Sequence, residues 1–191
     1  MSLRVVLVDC GSRKVGALAH LIEQAGAECR SVALSAMSAA ELALADALVI
    51  SGGPHLFTAD PTLEQAFAFL EGLALPTLGI CLGHQALGLV HGASVFLGPA
   101  RREPESIHLL PGHPLVAGLG AEAVFGEDHT EGITCPLGFR VVGFSAHYRV
   151  EIMAHARLPL FGVQFHPEIS GDPGLCLIGN FLALARQAGS R

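Results

Sequence analysis

A single cysteine, Cys81, lies between two glycines in the segment GICLGHQ (79–85), directly after a short apolar run. The run predicts a buried strand and the residues after Cys81 predict a helix, which places the thiol on a tight strand-to-helix turn. The G-x-S-x-G pattern presents a nucleophile on such a turn, and here a cysteine replaces the serine. The chemistry indicated is attack of a thiolate on a carbonyl carbon. A buried structural cysteine is the alternative, because free cysteines are among the most buried residues.

A nucleophilic cysteine needs a base, and the segment VQFHPE offers one. His166 follows an apolar strand, and Pro167 biases it toward an extended backbone. Residues two apart in an extended chain point to the same side, so Glu168 can orient the ring of His166. We therefore expect Cys81, His166 and Glu168 to form a catalytic triad. A histidine that is merely hydrogen-bonded at a strand end is the alternative, since the chain contains ten histidines.

A glycine pair follows a third predicted strand in ALVISGG. Gly52 and Gly53 can turn their backbone N–H groups inward and, together with the amide of Leu82, hold the oxyanion of a tetrahedral intermediate. An ordinary turn is the alternative interpretation. A phosphate loop is excluded, because G-x-x-x-x-G-K-[ST] does not occur in the sequence.

Metal binding is a rival explanation for so many histidines. His84 and His91 are seven residues apart on one predicted helix, too far for the i, i+4 spacing of a chelating pair, and no H-E-x-x-H motif occurs. The five cysteines include no C-x-x-C pair, so neither a zinc ribbon nor a disulfide framework is indicated. We expect reduced thiols, no metal site and no cofactor.

The composition of the 191-residue chain is typical of a globular protein, with 51% hydrophobic and 15% charged residues. A formal net charge of -6 and the lack of a dense basic run argue against nucleic acid or an anionic membrane as the main partner. The first apolar stretch is too short for a signal peptide, and no window reaches the length of a membrane span. We expect a cytoplasmic protein that binds a small molecule or another protein.

Strand and helix patterns alternate along the first half of the sequence. Apolar strands at LRVVLVDC, CRSVAL, ALVISGG and TLGIC are separated by amphipathic helices at VGALAHLIEQAG, AAELALAD and TLEQAFAFLEGL. Such alternation predicts an α/β fold with a doubly wound, mostly parallel sheet. Asp9, the glycine pair and Cys81 all fall at carboxyl ends of strands, where ligands bind in these folds.

The sequence pattern changes between about Ala93 and Val163, where prolines interrupt short strand candidates (SVFL, IHLL, AVFG, RVVGFSA and VEIMAH). These strands predict an antiparallel or mixed portion added to the same sheet. LPLFGVQF then predicts a buried strand, and LCLIGNFLALARQ a closing helix. Because no linker or repeat interrupts the chain, we expect residues 1–191 to form a single domain.

Taken together and in this order, SGGP, GICLGHQ and GVQFHPE resemble the motifs of the class I (triad-type) glutamine amidotransferases. The resemblance implies a flavodoxin-like fold and a glutaminase in which Cys81 attacks the side-chain amide of L-glutamine. A γ-glutamyl thioester forms, ammonia leaves, and His166 acts as both base and acid. Leu82 and Gly53 would supply the oxyanion hole, and Gln85 would help to bind the substrate.

Within the family, the sequence is most similar to the glutaminase part of GMP synthase. VDCGS (8–12) is similar to the D-x-G-S opening of that group, and SGGP fits it better than the P-G-P forms of other members. The sequence contains no S-G-G-V-D-S type loop of an ATP pyrophosphatase. The resemblance therefore implies that ammonia passes to a separate ATP-dependent synthetase in purine biosynthesis.

Three stretches depart from that group. Arg13 and Lys14 replace a Gln-Tyr pair, and the substrate segment S-H-x-D corresponds only to residues 128–131, with Asp128 in place of serine. The segment RREPESIHLLPGHP lacks the glutamate and glycine pattern of that group. The resemblance places His129 in the substrate-binding role, with neighbouring backbone against the main chain of glutamine. Two other functions remain open: a stand-alone γ-glutamyl hydrolase, and a non-catalytic module that senses glutamine.

Overall fold

The computed structural model describes residues 2–189, so the first residue and the last two residues of the predicted domain lie outside the described residues. The strands in this range are β1 (Leu3–Asp9), β2 (Ala27–Ala33), β3 (Ala47–Ile50), β4 (Thr77–Ile80), β5 (Val95–Arg101), β6 (Glu105–Leu109), β7 (Glu122–Phe125), β8 (His129–Ile133), β9 (Phe139–Phe144), β10 (Ile152–His155) and β11 (Leu160–Val163). The α-helices are α1 (Val15–Gln24), α2 (Ala39–Ala43), α3 (Leu82–Val90) and α4 (Gly171–Ala188). Short 3₁₀ helices cover Leu34–Ala36, Pro61–Leu70, Pro114–Val116 and Pro167–Ile169.

Nine of these strands form one sheet in the order β2-β1-β3-β4-β11-β10-β9-β6-β7. The first five strands of that order are parallel, and the last four continue the sheet in antiparallel pairs. β5 and β8 pair separately as a two-stranded antiparallel ribbon. The predicted α/β fold with a parallel sheet and an antiparallel addition is confirmed.

Both faces of the parallel half are covered, which explains why its central strands β3, β4 and β11 are largely apolar along their whole length. Alternate side chains of β1 enter different layers: Val5 and Leu7 pack with helices α1 and α4, whereas Val6 and Val8 pack toward residues 61–70 and α3. All residues of β3, β4 and β11 are buried. Two-sided burial is the physical reason that these strands show no alternation of apolar and polar residues.

Two secondary-structure predictions differ in detail from the structure. The helix predicted at TLEQAFAFLEGL is present at residues 61–70, but as a 3₁₀ helix, although the spacing of Leu63, Phe67 and Leu70 is more typical of an α-helix. The strand β8 is absent from the sequence-based prediction, because its sequence HTEGI is polar and contains a glycine. It forms by pairing with β5, a partner that local sequence does not reveal.

The three motifs of the candidate site follow three adjacent parallel strands. Ile50 pairs with Gly79, and Val163 pairs with Ile80, so β3, β4 and β11 end at the same edge of the sheet. Residues 51–53, Cys81 and residues 164–168 therefore meet at the carboxyl ends of the strands. No helix within residues 2–189 is both long and apolar enough to cross a membrane.

Candidate active site

Cys81 occupies a strained turn between β4 and α3. Its φ of 50° and ψ of -104° make it the single non-glycine residue with positive φ in the described part of the chain. Its N–H donates to Val163 O at 2.8 Å, which ties the turn to β11. A Cβ on Gly79 would overlap the carbonyl of Gly83, and one on Gly83 would lie 2.5 Å from Ile50 O. Both glycines of G-x-C-x-G are therefore required by close backbone packing.

His166 follows β11 and is oriented by the carboxylate two residues later. Its Nδ1 lies 2.7 Å from Glu168 Oε1, and the two side chains are only 4% and 1% exposed. Its backbone N–H donates to Gly126 O at 2.9 Å, and Ser170 Oγ donates to its carbonyl at 2.6 Å. These contacts hold Nδ1–H toward Glu168 and leave Nε2 as the ring atom available to the thiol.

The pKa of His166 reflects two opposing effects. Burial lowers it, but hydrogen bonds and charge interactions with Cys81 and Glu168 together raise it to about 10. The ring is therefore cationic at neutral pH while it is paired with these two side chains. A cationic imidazole next to the sulfur favours the thiolate, which is the nucleophilic form of cysteine.

The glycine pair lies directly against this dyad. Ser51 fixes the turn, because its Oγ accepts from Cys10 N–H at 3.0 Å and donates to Gly52 O at 2.8 Å. A Cβ on Gly52 would lie 2.9 Å from His166 Cε1, and one on Gly53 would lie 2.5 Å from Cys10 O. The turn thus brings bare backbone next to the reacting groups, as an oxyanion hole requires.

Asp128 and its two cationic partners, Lys14 and Arg102, are here called the charged clamp, and they hold a chain segment next to the thiol of Cys81. The carbonyl oxygen of Asp128 lies 3.9 Å from Cys81 Sγ. The Asp128 carboxylate pairs with Lys14 Nζ at 2.5 Å and with Arg102 Nε at 3.4 Å, and Arg102 also donates to His129 O at 2.9 Å. The hydrogen bond from Lys14 lowers the pKa of Asp128. Sequence reasoning singled out Lys14 and Asp128 only as departures and missed that they pair.

The two predicted substrate-binding side chains lie deeper and have protein partners. Gln85 Nε2 donates to Glu131 O at 3.2 Å and to Gln164 Oε1 at 3.3 Å, which links α3 to β8 and the segment after β11. His129 packs its ring on Tyr148, with 4.7 Å between ring centroids, and its Nδ1 lies 2.9 Å from Glu131 O. Both residues are buried, and their roles toward substrate stay predictions.

A cavity lies far from this chemistry. A volume of about 1130 Å³ opens at the amino-terminal edge of the parallel strands, next to Leu3, Asp46 and Pro76. Its walls contain neither cysteine nor histidine. The edge with Cys81 and His166 is therefore the one equipped for nucleophilic catalysis.

The fold and this arrangement define a glutamine-dependent class of enzyme. A family model for glutamine amidotransferase class-I matches residues 6–183, and the chain belongs to this family. It is therefore an enzyme of the class I glutamine amidotransferase type.

Proteins similar to this chain include subunits of GMP synthase. The glutamine-hydrolyzing GMP synthase subunit of Methanosarcina barkeri is 34% identical over 145 residues, covering 74% of this chain and 75% of that protein. The corresponding protein of Saccharolobus solfataricus is 34% identical over 156 residues, covering 77% and 80%. A crystal structure of a candidate GMP synthase subunit from Thermoplasma acidophilum superposes with a TM-score of 0.91 at 24% identity, covering 100% and 97%. At that identity the superposition shows the fold alone.

Proposed function

We propose that this chain is the glutaminase subunit of a two-subunit GMP synthase. It hydrolyses L-glutamine to glutamate and passes the ammonia to a separate ATP-dependent synthetase. The names of the relatives from Methanosarcina and Saccharolobus support the GMP synthase assignment. The observation that carries the glutaminase chemistry is the buried pair of His166 and Glu168, with Nδ1 and Oε1 2.7 Å apart, at a turn where Gly52 lies against both His166 and Cys81.

In the first half of the proposed reaction, Cys81 Sγ attacks the side-chain amide carbon of glutamine. Negative charge develops on the amide oxygen, and the backbone N–H groups of Leu82 and Gly53 stabilise it. Leu82 is the first residue of α3, so its N–H has no acceptor within the helix. One such donor contributes about 3 kcal/mol to stabilising the transition state. His166 Nε2 protonates the departing nitrogen, ammonia leaves, and a γ-glutamyl thioester remains on Cys81.

In the second half, a water molecule attacks the thioester carbon. His166 Nε2 takes a proton from the water, the bond between carbon and sulfur breaks, and glutamate is released with the thiolate restored. Glu168 keeps the ring in the tautomer that both halves need. We place the α-carbon end of glutamine against Gln85 and the backbone of residues 128–129, which lies next to the thiol.

The experiment that tests the function combines the purified chain with the synthetase component of a GMP synthase, XMP and ATP. Glutamine should support GMP formation with release of glutamate, and an ammonium salt should support it as well. With Cys81→Ala, glutamine should fail whereas the ammonium salt should still work, because only the source of ammonia has been removed. GMP formation from glutamine by the variant would contradict the proposal.

The site itself can be tested without a partner. A glutamine-mimicking electrophile should modify Cys81 alone, and excess glutamine should suppress the adduct, as read by intact mass and peptide mapping. Labelling of Cys81 by iodoacetamide that glutamine does not suppress would indicate another substrate. Rapid glutamate release in the absence of any synthetase, with no synthetase able to use the ammonia, would favour a stand-alone hydrolase.

A further inference from the structure

Three buried ionisable side chains lie close together, next to the segment that contacts the thiol of Cys81. Glu127, His129 and Glu151, here called the Glu-His-Glu cluster, each offer one oxygen or nitrogen atom, and these atoms all lie within 4.8 Å of one another. The side chains of Glu127 and His129 are 0% and 2% exposed, and Glu151 is also fully buried. The proposed glutaminase chemistry uses none of these three side chains.

The hydrogen bonds of His129 decide which of its nitrogens carries the proton. Nδ1 lies 2.9 Å from the carbonyl oxygen of Glu131, which can only accept, so Nδ1 is the donor. In the neutral ring with its proton on Nδ1, Nε2 presents a lone pair to Glu127 Oε2, 3.0 Å away.

Two acceptors at this distance repel each other unless a positive centre lies between them. Within residues 2–189, hydrogen-bond partners are lacking for both carboxylate oxygens of Glu127, for Glu151 Oε2 and for His129 Nε2. The nearby guanidinium of Arg101 is engaged elsewhere, because its Nε donates to Glu105 Oε2 at 2.7 Å.

We propose that Glu127, His129 and Glu151 bind a divalent transition-metal cation of the zinc type. One imidazole nitrogen and two carboxylates are a common donor set for such ions. Metal-binding histidines usually donate their other N–H to a carbonyl or carboxylate, as His129 does toward Glu131. Ligand atoms about 2.1 Å from one ion lie about 3.0 Å apart in octahedral and about 3.4 Å apart in tetrahedral coordination, so the 3.0 Å between Glu127 Oε2 and His129 Nε2 is close to the spacing that one ion needs.

The position of the cluster gives the ion a structural role. Glu127 and His129 flank Asp128, whose carbonyl faces Cys81 Sγ, and Glu151 lies just before β10. A bound cation would therefore fasten the segment next to the thiol to the central sheet. Ser145 Oγ donates to Glu151 Oε1 at 2.8 Å and leaves Oε2 for the ion. Sequence analysis missed this site because it considered only spacings along one helix.

The test uses an untagged chain with Cys81→Ser, so that the catalytic thiol cannot bind the probe. The protein is unfolded with a chelator, refolded with or without Zn²⁺, and analysed by elemental analysis and titration calorimetry. We expect one equivalent of tightly bound Zn²⁺ and a melting temperature that rises with Zn²⁺ concentration. Glu127→Gln and Glu151→Gln should each weaken binding by more than about 100-fold, since they remove direct ligands.

Glu122→Gln is the matched control, because this exposed glutamate pairs with His108 on the surface and should leave binding unchanged. X-ray absorption at the zinc edge gives a readout that does not depend on the folding of any variant. A shell of nitrogen and oxygen ligands supports the site, and sulfur in the shell overturns it. Failure of the Cys81→Ser chain to bind Zn²⁺, as expected if Glu127 instead shares a proton with His129, also overturns it. None of these readouts depends on glutamine hydrolysis.

Discussion

The carbonyl oxygen of Asp128 lies 3.9 Å from the sulfur of Cys81, while the carboxylate of the same residue is held by Lys14 from the opposite end of the sequence. Asp128 thus connects the thiol of Cys81 to the loop after β1. We expect the charged clamp to affect the reaction, because it holds the backbone carbonyl of Asp128 next to the sulfur of Cys81.

Lys14→Met should lower kcat/KM for glutamine several-fold, because Asp128 would lose one of its two cationic partners. The free energy of unfolding should change by less than about 1 kcal/mol, since Lys14 and Asp128 are 27% and 40% exposed and such pairs contribute little to stability. Steady-state kinetics and urea unfolding measure the two effects. Lys14→Arg should keep most of the activity, and Arg13→Met is the matched loss of a neighbouring charge. Equal losses in the Lys14→Met and Arg13→Met variants would contradict a specific clamp.

Replacement of Cys81 should reveal backbone strain. Both Cys81→Ala and Cys81→Gly remove the nucleophile and should abolish glutaminase activity. Because φ is 50° at this position, glycine relieves strain that alanine retains, and Cys81→Gly should be more stable by about 1 kcal/mol. The same pair of changes at Cys176, within α4, should give the opposite order, because glycine weakens a helix interior. Urea unfolding of the four variants measures both differences in stability. If the turn at Cys81 is not strained, the alanine variant will be more stable than the glycine variant at both positions.

The pH dependence of alkylation should depend on His166. Its pKa is raised to about 10, so the ring keeps its positive charge, and its support for the thiolate, throughout pH 6 to 9. The rate of iodoacetamide reaction at Cys81 should therefore depend less steeply on pH over this range than it does in His166→Ala. In His166→Ala the rate should be low at neutral pH and rise about tenfold per pH unit below an ordinary thiol pKa of about 8.5. Parallel profiles for the two proteins would show that His166 is not the base.

Two neighbouring glycines should respond differently to substitution by alanine. The new methyl group of Gly52→Ala meets His166 Cε1 at 2.9 Å, so we expect kcat to fall at least tenfold with a modest loss of stability. The methyl group of Gly53→Ala meets the rigid carbonyl of Cys10 at 2.5 Å, so the free energy of unfolding should fall by about 1–3 kcal/mol.

Gly16→Ala is the control for these two variants, because Gly16 lies in α1 and a Cβ there meets nothing within 4 Å. It should raise the free energy of unfolding by about 0.5–1 kcal/mol and leave kcat unchanged. Kinetics and denaturant unfolding of the three variants separate the two effects. Full activity of Gly52→Ala would place the catalytic ring elsewhere.

Local patterns predict the parallel half of the fold and bring Cys81, His166 and Glu168 together. Each motif directly follows a wholly apolar strand, and strand order then brings the three ends to one edge. The pairing of Lys14 with Asp128 was not predictable, because an ion pair between distant segments leaves no periodic signal. Strand β8 was missed for a related reason: its pairing with β5 overrides a weak local preference for strand.

The pairing of β4 with β11 has a consequence for the newly made protein. β11 lies between β4 and β10 in the sheet, although β4 comes from the first half of the chain and β11 from its last quarter. On the ribosome, Cys81 emerges long before His166. Under the proposed mechanism the thiol therefore has its base only after β11 has paired with β4, and a chain interrupted before that point should not hydrolyse glutamine.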